Sequence, residues 1–171
     1  MNPEARMILF VEDDSKDADL ALAALVKYNS ASRVEFVRDG EEALDYLHCQ
    51  GKFKTRSGGV PAVVVIDLKM PKMDGLELVK RIRSDEQLRL IPIVVFSSSR
   101  AEGDLVQCYE NGANAYVVKP LGFSEFMDAV KGLAIFWTSI NEPPPKARRE
   151  TTGTPMATSN EIPPPYPASG G

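Results

Sequence analysis

Cysteine, histidine and long apolar segments are all scarce in this chain of 171 residues. The two cysteines, Cys49 and Cys108, lie in helical patterns and show no CxxC spacing. We interpret them as reduced, partly buried thiols of a cytoplasmic protein. No apolar run approaches the roughly 18 residues that a membrane-spanning helix needs, and residues 1–6 lack the form of a signal peptide. The single histidine, His48, is predicted to be a surface residue.

A strong excess of positive charge is also missing. With 20 Lys and Arg against 24 Asp and Glu, the formal net charge is -4. This balance does not favour binding to a nucleic-acid backbone, so neither a nucleic acid nor a membrane is expected as a partner. The hydrophobic content of 43% is ordinary for a globular protein, and the length suffices for one domain with a short extension.

The composition changes at about residue 141. Residues 141–171 contain eight of the thirteen prolines and few large apolar side chains. We therefore divide the chain into a folded domain over 4–140 and a Pro-rich tail over 141–171, which is predicted to be disordered or polyproline-like. Residues 163–166 match the PPxY pattern that some aromatic-groove domains read, although chance explains a match in so Pro-rich a tract more simply.

Five short β-type runs alternate with amphipathic helical patterns over residues 4–140. The runs cover 7–11, 33–37, 62–66, 93–96 and 115–118, and the helical patterns cover about 15–28, 41–49, 75–83, 101–110 and 123–140. Runs one, three and four are almost wholly apolar, which is typical of strands covered on both faces of a parallel sheet. The alternation predicts an α/β fold, a doubly wound five-stranded parallel sheet with helices on both faces.

Turn residues mark the expected ends of several helices. Ser15 is predicted to cap the first helix, and Asp39 and Asp74, each followed by glycine, to open the second and third. The pair Asn111-Gly112 is predicted to close the fourth helix. Residues 50–59 form a connection longer than the usual length of about 2–6 residues. This length indicates either a tolerated surface insertion or a partner-binding loop.

Acidic residues follow two of the apolar runs. Glu12, Asp13 and Asp14 come directly after the first run, and Asp67 follows the third. Because the carboxyl ends of parallel strands meet at the ligand-binding edge of such a sheet, we expect these carboxylates to converge. Carboxylates at close range repel one another and tend to retain a proton. A hard cation removes this repulsion, and Mg²⁺, which prefers oxygen ligands, is the natural choice.

Two further polar residues end runs at the same edge. Ser97 follows the fourth run and Lys119 the fifth. Together with the acids, a hydroxyl and an ammonium group suit a phosphoryl group: the cation and Lys119 would neutralise its oxygens, Ser97 would hydrogen-bond one, and Asp67 would be the nucleophile. A helix cap or an ordinary turn explains each of these residues alone. Their convergence on one edge favours a common site.

On these residues, the chain over about 4–140 resembles the receiver domains of two-component response regulators, the CheY-like group. The resemblance implies the strand order 2-1-3-4-5, and a protein that catalyses only its own phosphorylation and dephosphorylation. By the resemblance, a histidine kinase would supply the phosphoryl group. The matching elements are the pair Glu12-Asp13, the segment 67–75, Ser97, Tyr116 and the pair Lys119-Pro120.

The resemblance also implies a role for each acid. Asp67 would accept the phosphoryl group. Asp13 and Asp67 would hold Mg²⁺ together with the backbone carbonyl of Lys69, while Glu12 would act mostly through water. Three further residues complete the implied site. Ser97 and Tyr116 would switch the surface formed by the fourth helix, fifth strand and fifth helix, and the bond before Pro120 is expected to be cis.

Nothing after residue 140 has the composition of an output domain, so the resemblance is to stand-alone receivers. The long connection 50–59 and the pair Phe136-Trp137 also resemble the single-domain regulators paired with bacterial phytochrome kinases. Consecutive side chains on a helix point about 100° apart, so one of residues 135–137 is expected to be exposed unless a partner covers it. We therefore predict a homodimer through the fourth and fifth helices. Its predicted interface comprises Leu133, Phe136, Trp137 and Ile140.

Other functions fit the same fold less well. A receiver-like binding or scaffold module that is never phosphorylated is the main alternative, although the acids, Ser97 and Lys119 are all present. Aspartyl phosphatases of the haloacid-dehalogenase type need a second Asp two residues after the nucleophile, where this chain has Lys69. A flavodoxin-like FMN carrier needs a phosphate-binding loop after the first strand, where residues 12–14 would repel phosphate.

Overall fold

Five parallel strands form one sheet in a computed structural model that describes residues 6–28, 33–57 and 59–145. The strands are β1 (Met7–Val11), β2 (Arg33–Val37), β3 (Val63–Ile66), β4 (Ile93–Ser97) and β5 (Ala115–Val118). The helices are α1 (Ser15–Lys27), α2 (Gly40–Leu47), α3 (Gly75–Ser84), α4 (Glu102–Glu110) and α5 (Phe123–Ile135). Residues 146–171, which form most of the predicted Pro-rich tail and include the PPxY match, lie outside the described residues.

The sheet order is β2-β1-β3-β4-β5, which confirms the predicted doubly wound fold. The central strands β3 and β4 are buried along their whole length, whereas the edge strands β2 and β5 are largely half-buried. The register pairs Val11 with both Val37 and Ile66, and it pairs Ser97 with Val118. Because these paired residues are the last of their strands, the polar residues that follow emerge at one edge.

Helices cover both faces of the sheet. Helices α2 and α3 pack on one face through residues such as Tyr46 and Ile82, and α1 and α5 pack on the other through residues such as Leu25 and Val130. A smaller cluster joins α4 to β4 around the buried thiol of Cys108. Among the described residues, no helix combines the length and the apolar character needed to cross a membrane.

The beginnings of the first three helices follow from short polar side chains. Asp39 and Asp74 cap α2 and α3 as predicted, each accepting a hydrogen bond from a backbone N–H three residues later. The prediction that Ser15 caps α1 is wrong, because the cap is Asp14, whose carboxylate accepts from the N–H groups of Lys16 and Asp17. An ionised side chain is favoured at this position by the positive end of the helix dipole.

The end of α5 corrects one predicted interface residue. The helix continues as a π-helical segment over Phe136–Ile140, and Trp137 is only 8% exposed within its own chain. With Val130 and Ala134 it occupies the i, i+4, i+7 positions that face the core. Trp137 therefore belongs to the core and not to a dimer interface.

The remaining apolar side chains of this segment point outward. Phe136 is 45% exposed and Ile140 is 67% exposed, and Ile135 beside them is also exposed. Leu133 is partly buried against the core. The expectation that one of three consecutive apolar residues lies at the surface is therefore met by Ile135 and Phe136.

Candidate phosphoryl-binding site at the carboxyl ends of the strands

Three carboxylates meet where β1 and β3 end. Glu12 and Asp13 follow β1 directly, and Asp67 follows β3, which lies beside β1 in the sheet. One oxygen from each of the three side chains lies within 4.8 Å of the others. Glu12 is buried, Asp67 is half-buried and Asp13 is exposed, so the cluster opens to solvent on the Asp13 side.

The turn after Asp67 holds this residue in place through a glycine. The N–H group of Gly75 donates to the carbonyl oxygen of Leu68 at 2.9 Å. A Cβ atom at position 75 would lie only 2.2 Å from the backbone oxygen of Asp67. The first turn of α3 can therefore pack against the backbone of Asp67 only because position 75 carries no side chain.

Lys119 brings a buried positive charge into the cluster. It follows β5, and its Nζ atom lies 2.6 Å from Glu12 Oε2, 2.8 Å from Asp17 Oδ2 and 3.1 Å from Asp67 Oδ2. Its side chain is only 8% exposed. Charge-assisted hydrogen bonds of this kind are short and strong. Lys119 therefore joins the ends of β1, β3 and β5 and the first turn of α1.

Burial and charge together raise the pKa values of both Lys119 and Glu12. Burial alone would lower the pKa of Lys119, but its hydrogen bonds to Asp17 and Glu12 outweigh burial and hold the pKa above its ordinary value. Burial raises the pKa of Glu12 to about 7, and the hydrogen bond and charge of Lys119 only partly oppose this effect. The negative charge of Asp67 adds to the rise. Burial of the Glu12 carboxylate therefore outweighs the stabilisation that Lys119 gives to its ionised form.

The donor set fits a hard divalent cation. Glu12, Asp13 and Asp67 provide oxygen ligands only, which is what Mg²⁺ prefers, and their mutual repulsion gives a cation a favourable place. Lys69 has an exposed side chain in the turn that follows Asp67, so only its backbone carbonyl suits a cation. The carboxylate of Asp14 caps α1 and is thereby engaged elsewhere.

Ser97 lies at the start of a chain of hydrogen bonds that leads to α4 and β5. Its hydroxyl is buried and accepts from the N–H group of Ser99 at 3.3 Å. The carbonyl oxygen of Ser99 accepts from the hydroxyl of Tyr116 at 3.0 Å, and the Ser99 hydroxyl lies 2.5 Å from Asp104 Oδ2. Ser97 and Tyr116 are thus connected through the loop between β4 and α4.

The expected cis bond before Pro120 is wrong. No peptide bond among the described residues is cis, so Lys119 and Pro120 are joined by a trans bond. The trans form is intrinsically favoured before proline. In this form the Lys119 ammonium contacts the carboxylates of Glu12, Asp17 and Asp67.

Sequence reasoning missed Asp17 and Asp104. Asp17 lies in the first turn of α1, three residues after the capping Asp14, and Asp104 holds the corresponding first-turn position in α4. An acid in the first turn of a helix normally indicates only a favourable contact with the helix dipole. The signal that could have found both residues is that these two helices begin at the edge where the site residues lie.

A family model matches most of this chain. A family model described as the response regulator receiver domain matches residues 8–131. Among curated proteins, the chain is 37% identical over 140 residues to a probable methanogenesis regulatory protein, FilR2, of Methanothrix harundinacea (strain 6Ac). That match covers 81% of this chain and 87% of the relative.

Comparison with solved structures adds two similar proteins. The phosphorylated cyanobacterial phytochrome response regulator RcpA matches with a TM-score of 0.76 at 36% identity, over 82% of this chain and 99% of that one. The bacteriophytochrome response regulator AtBRR is 51% identical with a TM-score of 0.66, over 82% of this chain and 100% of that one.

Proposed function

Because the chain belongs to the response regulator receiver domain family, we propose that it accepts a phosphoryl group from a histidine kinase on Asp67. Receiver domains are the phosphorylated components of two-component signalling and bind Mg²⁺ at an acidic pocket. The observation that carries the assignment is the buried ammonium of Lys119, which lies 3.1 Å from Asp67 within a cluster of carboxylates. A half-buried carboxylate beside a fixed ammonium group is suited to attack a phosphoryl group.

The proposed reaction uses the residues as follows. An Asp67 carboxylate oxygen attacks phosphorus, the bond from phosphorus to the kinase histidine nitrogen breaks, and the imidazole leaves with the electron pair. The product is an acyl phosphate on Asp67. Lys119 compensates the charge of one phosphoryl oxygen, and the Ser97 hydroxyl donates to another. Mg²⁺, held by Asp13, Asp67, the carbonyl of Lys69 and, through water, Glu12, would neutralise the remaining charge.

Phosphorylation should therefore require a divalent cation. Labelling of the wild-type protein by acetyl phosphate is expected to fall by at least roughly a hundredfold when EDTA replaces Mg²⁺, because a cation contributes several kcal/mol of charge stabilisation. The measurement is intact mass spectrometry over time. Asp13→Asn should weaken Mg²⁺ binding, measured by calorimetry, more than Glu12→Gln, because Asp13 is the proposed direct ligand.

A surface acid provides the control for these variants. Glu110→Gln removes one exposed carboxylate from the end of α4, and both its labelling and its Mg²⁺ affinity should match the wild type. Undiminished labelling in EDTA would contradict the proposed role of the cation. An absence of labelling under all conditions would favour the module that is never phosphorylated.

The proposed switch runs through Ser97. Once its hydroxyl turns to the phosphoryl group, its contact with the Ser99 N–H is lost and the loop between β4 and α4 is free to shift. Tyr116, whose hydroxyl contacts that loop, then moves into the vacated space. In this way a local charge change biases the surface of α4, β5 and α5. The hydrogen-bond chain from Ser97 to Tyr116 supports this route.

The proposed partners are a kinase and a second copy of this chain. The kinase is proposed to be of the phytochrome type, which is supported by the similarity to RcpA and AtBRR. The homodimer is proposed to form through the fourth and fifth helices. At the end of the fifth helix, the proposed interface residues are Phe136 and Ile140, with Leu133 at the margin. Trp137 is excluded because it is buried.

Phe136→Glu should shift the assembly toward monomers. The variant places a charge on an exposed apolar side chain, and two such charges would meet across the two-fold interface. Dimer affinity should fall roughly tenfold or more if Phe136 is an anchor, as measured by sedimentation at matched concentrations. Trp137→Glu would instead destabilise the core and would not report on assembly.

A charge placed elsewhere serves as the matched control. Leu90 is 58% exposed just before β4, at the edge of the sheet opposite the site, and Leu90→Glu should leave the assembly state unchanged. The dimer would be ruled out by a wild-type protein that stays monomeric well above micromolar concentrations, with and without the phosphoryl group.

A further inference from the structure

Lys119 uses all of its hydrogen-bonding capacity on carboxylates. An ammonium group has three N–H donors, and Lys119 has three carboxylate partners at 2.6, 2.8 and 3.1 Å. Two of them, Glu12 and Asp67, belong to the cluster that suits a cation. The third, Asp17, lies in the first turn of α1 and does not belong to that cluster. No metal or phosphoryl role accounts for Asp17.

The three contacts differ in what phosphorylation does to them. On phosphorylation Asp67 loses the charge of the oxygen that forms the acyl phosphate, and Glu12 faces the cation. Asp17 alone keeps its full charge and its place, because its backbone is held in α1 and by the cap of Asp14. Of the three carboxylate partners of Lys119, Asp17 is therefore the one that can orient it throughout the reaction.

We infer that Asp17 is a positioning residue, which holds the Lys119 ammonium in place for the transferred phosphoryl group. The inference rests on the proposed function, because it assigns Asp17 a part in the same reaction. The contact between Asp17 and Lys119 joins residues 102 positions apart. The Asp17 side chain is 29% exposed and the Lys119 side chain is 8% exposed. A purely structural ion pair between α1 and the loop after β5 would change stability but not the rate for folded protein.

The test is Asp17→Asn, which keeps the shape of the side chain and an acceptor oxygen but removes the charge. With acetyl phosphate as donor and saturating Mg²⁺, the phosphorylation rate should fall roughly five- to tenfold, as expected for contacting charged groups. A small donor removes any effect of α1 on kinase docking. The Mg²⁺ affinity should change by less than about twofold, because Asp17 lies outside the cation cluster. Asp19→Asn, an exposed acid on the same helix, should behave as wild type.

A double-mutant cycle decides whether Asp17 acts through Lys119. In a Lys119→Met background, Asp17→Asn should cause no further loss of rate, because the group that it positions is gone. An equal loss in both backgrounds, or a wild-type or faster rate for Asp17→Asn alone, would overturn the inference. Rates are compared per folded protein, with unfolding midpoints measured in parallel. If the wild type itself takes no label, the proposed function fails rather than the role of Asp17.

Discussion

Asp67→Asn is expected to abolish phosphorylation by acetyl phosphate or by the cognate kinase while the fold stays intact. Asparagine keeps the size of the side chain and an oxygen that can accept from Lys119, but an amide oxygen is a far poorer nucleophile than a carboxylate. Intact mass spectrometry after incubation with donor and Mg²⁺ should show a single phosphoryl adduct on the wild type and none on the variant. Circular dichroism should show the same secondary structure for both.

A variant of a second carboxylate, Asp85, distinguishes the loss of the nucleophile from the loss of one negative charge elsewhere. Asp85 is half-buried and pairs with His48 at 3.1 Å, just after the end of α3. Asp85→Asn should leave labelling at the wild-type level. Full labelling of Asp67→Asn would refute the acceptor assignment, because the phosphoryl group would then have to reside on another residue.

Arg83→Ala is expected to lower the free energy of unfolding by about 2–4 kcal/mol, since hydrogen bonds to charged groups contribute more than neutral ones and their unpaired partners are costly. The Arg83 guanidinium donates to the carbonyl oxygens of Gly112, Arg89 and Ile91 at 2.8, 3.0 and 2.8 Å and to the Asn114 side chain at 2.8 Å. It thereby ties the end of α3 to the segments before β4 and β5. Urea unfolding followed by circular dichroism measures the change.

The nearby Arg81 provides the matched control for Arg83→Ala. Its side chain is 56% exposed and pairs with Glu77 one helical turn earlier, so Arg81→Ala should cost no more than about 0.5 kcal/mol. Arg83→Lys should recover only part of the loss, because a single ammonium group lacks the forked geometry of the guanidinium. Equal stability of Arg83→Ala and Arg81→Ala would show that the four hydrogen bonds do not stabilise the fold.

The sequence by itself determined the sheet and the edge at which the site lies. Apolar runs alternating with amphipathic helices specify parallel strands with buried faces, and this information is local to each segment. The positions of Glu12, Asp67 and Lys119 directly after strands, and of Ser97 at the end of one, then place them at one edge, because parallel strands share a direction. Caps such as Asp39 were predictable for the same reason, since a cap contacts only the turn that follows it.

Only the tertiary structure decided how distant side chains meet. The burial of Trp137 depends on which face of α5 lies on the sheet. The contact between Asp17 and Lys119 and the four hydrogen bonds of Arg83 join residues that no local pattern relates. A periodic pattern specifies the backbone conformation and the buried face of each segment. The pairing of polar groups is set instead by the packing of whole helices and strands, to which many remote residues contribute at once.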